Sequence, residues 1–186
     1  MSNATRFLTK ILLTMSFFSI VMLPMPVTQA ADPVKIVIPA IADKAGYRSN
    51  ELNAALLAKL RSQFRFPKYE ILLATGLATE PARPVLEKIA ADNVAGGVVN
   101  LEITQLRNQL VHGFFDDETY EATSLTLTLT YFNKETGQFG RLSAERSKTE
   151  ISSVFSGPIT LSVATLEELL NQLDKIFPRQ FPGPRY

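Results

Sequence analysis

The stretch Thr123-Ser-Leu-Thr-Leu-Thr-Leu-Thr-Tyr-Phe-Asn133 decides the fold of this chain. Leu125, Leu127, Leu129 and Tyr131 fall on one side of an extended backbone, and Thr126, Thr128 and Thr130 on the other. A period of two fits a pleated strand with one buried face and one wetter face. The β-branched threonines favour the strand on the wetter face as well. This strand is expected to lie centrally in a sheet.

Its neighbours extend the pattern. Asn133-Lys-Glu-Thr-Gly137 supplies a hairpin loop with Gly where a positive φ is needed, and a strand follows from about Gln138 to Ile151. Upstream, Val99, Leu101 and Ile103 alternate with Asn100, Glu102 and Thr104, but Leu106 and Leu110 sit on the opposite parity. A β-bulge near Gln105 accounts for that slip. These three strands form an antiparallel meander.

Before the meander the pattern is strand, helix, strand, helix. Val34 to Ile41 reads as a doubly buried strand, with Pro39 marking its end. Leu52, Leu56, Leu57, Leu60 and Phe64 recur at helical spacing, with Ser49 or Asn50 as cap. Tyr69 to Ala74 is the second strand, and Pro81 to Asp92 a weaker helix with Val85, Leu86 and Ile89 on one side. The last helix is placed at Leu166 to Phe177, opened by Thr165-Leu-Glu-Glu168 in capping-box form and ended by Pro178. The expected class is therefore α+β: a mixed sheet in the order β-α-β-α-β-β-β-α, with helices packed on one face.

The chain has 186 residues, 46% hydrophobic and 20% charged, an ordinary globular composition. Residues 1–30 stand apart. Arg6 and Lys10 precede an uncharged run from Ile11 to Leu23, and the small-residue sequence Thr28-Gln29-Ala30 follows, which is the form of a secretory signal peptide cleaved near Ala30. That run is shorter than the roughly 20 residues of a membrane span. The domain expected after it covers residues 31–178, with an extended Pro-containing tail at 179–186. Loss of Arg6 and Lys10 leaves 17 basic against 18 acidic residues, a balance that argues against nucleic-acid binding. There is no cysteine, which excludes disulfides, thiolate catalysis and a lipid-modified amino-terminal cysteine.

No catalytic constellation is legible. His112, the only histidine, lies beside Asp116, Asp117 and Glu118, which could form a metal site or supply a general base, yet a zinc site needs three or four ligands at fixed spacing. Oxygen ligands would favour calcium there. A serine hydrolase would need Gly-x-Ser-x-Gly, which is absent. No cofactor is implied. Phe114 and Phe115 in the acidic loop, and Arg146 on the charged last strand, are the candidate partner-binding residues.

The order of elements, with Val34-Lys-Ile-Val-Ile-Pro-Ala-Ile-Ala-Asp43 at its start, resembles the small exported α/β domains of the curli-secretion-channel (CsgG) and TolB amino-terminal type. Ala40 stands where that family usually has an aromatic. The resemblance implies an envelope binding or assembly module rather than an enzyme, and it assigns no individual site residue. The leading expectation is thus an exported, non-enzymatic domain, periplasmic or secreted, that binds another envelope component and does not span the membrane after cleavage. The alternatives are a hydrolase or metal-dependent enzyme using His112, and a small-molecule sensor.

Overall fold

The computed structural model describes residues 32–77, 80–113, 118–151 and 157–180. From Pro33 onward they belong to one compact unit, Pro33–Tyr186. Its sheet contains β1 (Val34–Pro39), β2 (Ala42–Asp43), β3 (Tyr69–Ala74), β4 (Gly97–His112), β5 (Thr119–Asn133) and β6 (Gln138–Ile151). The helices are α1 (Asn50–Arg61), α2 (Arg83–Asp92) and α3 (Pro158–Leu173). Strands run side by side in the order β3, β1, β4, β5, β6, with β2 beside β4. The β3/β1/β4 pairings are parallel and the β4/β5/β6 pairings antiparallel, so the expected α+β class and mixed sheet hold.

The Leu face of β5 is the centre of the larger core. Leu125, Leu127 and Leu129 are fully buried and meet Ile36, Ile38, Val99, Leu101 and Ile103 from neighbouring strands. α1 and α3 close this face with Leu52, Leu56 and Leu60, and with Leu166, Leu169, Leu170 and Leu173. Each fully buried leucine contributes roughly 1.5–3 kcal/mol, so this layer dominates the stability of the unit. Ser49 caps α1, its Oγ accepting from Leu52 N at 3.2 Å. The expected bulge is present: the β4/β5 register shifts between Ile103 and Gln105, and this returns Leu106 to the core side, opposite Leu125. At the β5–β6 turn Gly137 adopts φ +67°, and Asn133 Oδ1 accepts from the amides of Glu135 and Thr136.

Three expectations are corrected. First, the helices do not share one face. α2 packs Leu86 and Ala90 against Val37, Val98 and Phe132, the opposite side of the sheet from α1 and α3. Second, α3 begins at Pro158, not Leu166, and Thr165 lies inside it. Its hydroxyl donates to Leu161 O at 2.8 Å, the back-bond of a mid-helix threonine, so it caps nothing. The helix also ends earlier, and Ile176 and Phe177 belong to the turn after it. Third, the Thr face of β5 is not wet: Thr128 and Thr130 are buried.

The chain after α3 is held by its carbonyls. Asn133 Nδ2 donates to Ile176 O, Gln63 Nε2 to Phe177 O, and both Tyr69 Oη and Lys68 Nζ to Pro178 O, at 2.7 to 3.1 Å. Arg179 donates to Gln63 Oε1, Glu167 Oε1 and Asn171 Oδ1. Arg179 opens the segment expected to be an extended Pro-containing tail, of which residues 181–186 lie outside the described residues. Phe177 packs edge-on to Phe64 and Tyr131, and it reaches β4 so closely that a Cβ on Gly97 would stand 2.8 Å from its ring.

Candidate partner-binding surface

β4 is sixteen residues long, and its two halves have different neighbours. From Gly97 to Ile103 it is flanked by β5 on one side and by β1 and then β2 on the other. At Asp43 the second flank ends. Lys44 N and Ala45 N both bond to Ile103 O, and the Asp43 carboxylate accepts from Gly46 N at 2.9 Å and Arg48 N at 2.6 Å, turning the chain away from the sheet. From Thr104 to His112, β4 is paired by β5 alone among the described residues. The bulge marks the boundary, with Thr104 Oγ1 donating to Thr126 O at 3.1 Å.

The distal halves of β4, β5 and β6 thus form a three-stranded arm whose β4 edge has no strand paired to it among the described residues. That edge carries one charge, Arg107, between Gln105 and Val111. It displays two apolar side chains, Leu110 at 69% and Val111 at 46% exposure. The opposite edge, β6, has Arg141, Glu145, Arg146, Lys148 and Glu150, the kind of charge that keeps an edge from pairing indiscriminately.

The candidate residues chosen from sequence fall on this arm or at its tip. His112 ends β4, exposed, with Nδ1 3.1 Å from Thr119 Oγ1. Glu118 accepts from the Tyr120 hydroxyl at 3.4 Å, and its carbonyl accepts from Gly113 N. Phe114, Phe115, Asp116 and Asp117 lie outside the described residues. Among the described residues no group of three or more His, Asp or Glu side chains is placed to hold a metal ion. Arg146 lies on the α3 side of β6, opposite Leu125, and its guanidinium donates twice to Glu168 Oε2, at 3.1 and 3.3 Å.

Sequence reasoning missed a polar strip on the α2 side of the sheet. Glu102, 2% exposed, is held by Lys44 Nζ at 2.8 Å and Arg141 Nη2 at 3.5 Å. Arg141 also reaches Glu80, at 3.6 Å. A buried carboxylate is costly unless compensated, and these two cations tie the β2 turn and the β6 edge to the middle of β4. Asn100 and Thr130, opposite each other across β4 and β5, are both 1% exposed, and neither their amide nor hydroxyl atoms find a hydrogen-bond partner among the described residues. The signal available was a Glu in the middle of Val-Val-Asn-Leu-Glu-Ile, a place that needs a cation.

Two further groups have shifted acidities. Burial, helped by the charges of Asp174 and Glu135, pushes the Tyr69 hydroxyl up to about 12. Burial raises Glu167, but Lys59 and Arg179 outweigh it and hold the carboxyl below its ordinary value. Both groups lie in the anchoring of the α3 segment, away from the arm.

No family model matches the chain, and no curated protein sequence does. Among solved structures it is similar to a PelC dodecamer from Paraburkholderia phytofirmans, with 14% identity over 74% of this chain and 86% of that one, TM-score 0.46. It is also similar to lipoprotein GNA1162 from Neisseria meningitidis, with 14% identity over 77% and 99%, TM-score 0.46. A third is a neuraminyllactose-binding hemagglutinin homolog from Helicobacter pylori, with 12% identity over 82% and 94%, TM-score 0.49. None of these is a CsgG or TolB protein, so the resemblance read from Val34 to Asp43 is withdrawn: an apolar strand ended by Pro reflects burial on both faces of β1 and is not a family signature.

Proposed function

We propose that this chain is an exported, non-enzymatic domain of the cell envelope that binds another envelope component by strand addition to the open edge of β4. The observation that carries the reading is the half-paired strand from Thr104 to His112. An extended segment laid along it would gain main-chain hydrogen bonds, and alternate side chains would set its specificity. The edge states the chemistry of its occupant: an acidic residue near Arg107, and apolar residues near Leu110 and Val111. Export rests on Arg6, Lys10, the run from Ile11 to Leu23 and the small residues before Ala31.

Proline cannot donate to a strand ladder, and Leu110 is one of the alternate β4 residues whose backbone faces away from β5, so Leu110→Pro blocks the edge while leaving the core untouched. A photocrosslinker placed at Val111 identifies the protein that meets the arm in intact cells. That protein, once purified, is expected to bind the wild-type chain, to crosslink through an extended segment, and to lose most of its affinity for Leu110→Pro. Equal binding by the Pro variant would contradict the reading. So would hydrolytic turnover of ester, glycoside or peptide substrates that disappears in His112→Ala.

A further inference from the structure

The end of the sheet opposite the arm has a different character. There β1, β3 and β4 begin and the β5–β6 turn closes. Val34 N bonds to Lys68 O, Gly96 N to Lys35 O, and Lys134 N to Gly96 O, which draws the strand starts and the turn together. Three apolar side chains stand out from this end: Phe66, 75% exposed, in the turn after α1; Val94, 76% exposed, in the turn after α2; and Val34, 39% exposed, at the start of β1. Because β1 lies between β3 and β4, with α1 and α2 on opposite faces, these residues span the whole width of the end.

Val94 is the most unusual of them. It has φ +50°, a left-handed conformation that a β-branched residue adopts at a cost and that Gly or Asn would occupy freely. A turn that displays Val in spite of that cost favours a role for the side chain outside the fold.

Charge separates the two ends. Arg61, Arg65, Lys68, Lys134 and Lys175 are exposed around the apolar residues, against Asp92, Glu135 and the half-exposed Asp174. Lys35 and Glu70 face each other in register and cancel. On the arm the balance is reversed, with Glu118, Glu121, Glu145 and Glu150 against Arg107, Arg146 and Lys148.

We infer that this end is a membrane-docking surface that rests on a bilayer carrying anionic headgroups. Its exposed apolar side chains insert at the headgroup boundary, and the surrounding cations meet the negative surface, the pairing that peripheral attachment requires. The acidic arm then points away from the membrane. This inference is independent of strand addition at β4, since it uses none of the same residues.

The test uses residues 33–186, the compact unit that contains every core residue, with vesicles of phosphatidylglycerol or of phosphatidylcholine in a flotation assay. The unit is expected to float with phosphatidylglycerol vesicles at low salt, and about tenfold less with phosphatidylcholine or in high salt. The double variant Phe66→Asp/Val94→Asp is expected to lose that binding about tenfold with an unchanged melt, and Arg65→Gln/Lys134→Gln to lose part of it. Leu110→Asp, on the arm, is expected to bind vesicles as the wild type does. The inference is overturned if the wild type fails to float with phosphatidylglycerol, if the Asp double variant floats as well as the wild type, or if Leu110→Asp abolishes flotation.

Discussion

The two halves of β4 show how one strand can serve the fold and a surface. Between Gly97 and Ile103 every residue is buried, strands lie on both sides, and α1, α2 and α3 cover both faces. From Gln105 onward only Leu106 is buried, one side has no paired strand among the described residues, and the side chains turn polar or stand exposed. The change comes within two residues, at the bulge and the turn held by Asp43. The first half is fixed by packing; the second is paired on one side alone among the described residues.

Substitutions in the packed half should cost most. Leu127→Ala removes a fully buried side chain under α1 and α3, and the expected loss is roughly 2–5 kcal/mol in a denaturant melt. Gly97→Ala should cost less, about 1–3 kcal/mol, because its methyl group would press on the Phe177 ring and on Phe132 O, 3.0 Å away.

A smaller effect is expected from pH. The Tyr69 hydroxyl, pushed up to about 12 from 10.0, stays protonated in the folded chain while it donates to Pro178 O. Its folded value lies above the unfolded one, so its contribution is complete below pH 10 and is lost as pH rises towards 12. Tyr69→Phe should flatten this part of the stability curve, and melts between pH 8 and pH 12 at matched ionic strength check it.

On the arm the effects should be slight. Arg146→Ala breaks a half-exposed pair with Glu168 and should cost roughly 0–1 kcal/mol. Losses of similar size for Leu127→Ala and Arg146→Ala would erase the contrast between core and arm.

How far the sequence carried this picture depends on which physical signal each element left. β5, the β6 hairpin, the bulge beside Gln105 and the Ser49 cap were all legible, because period, parity and turn chemistry are local. The side of the sheet taken by α2 was not, since a short amphipathic helix records that it packs but not against which face. The Thr face of β5 looked wet because threonine is polar. In the fold it lies beside Asn100 and Glu102, a buried strip compensated by Lys44 and Arg141 from distant positions. Thr165 to Glu168 had the letters of a capping box, but Pro158 starts the helix two turns earlier and the motif lies within it. The open edge was invisible for a related reason: it exists because β2 is only two residues long and Asp43 turns the chain aside.

Hydrogen exchange along β4 tests the central claim most directly. In the free protein, the amides of Gly97 to Ile103 should be protected towards both neighbouring strands, whereas between Gln105 and His112 protection should be confined to alternate residues, those facing β5. Slow exchange at every amide from Gln105 to His112 would mean that the edge is already covered within the molecule, and the account of β4 as a binding strand would fail.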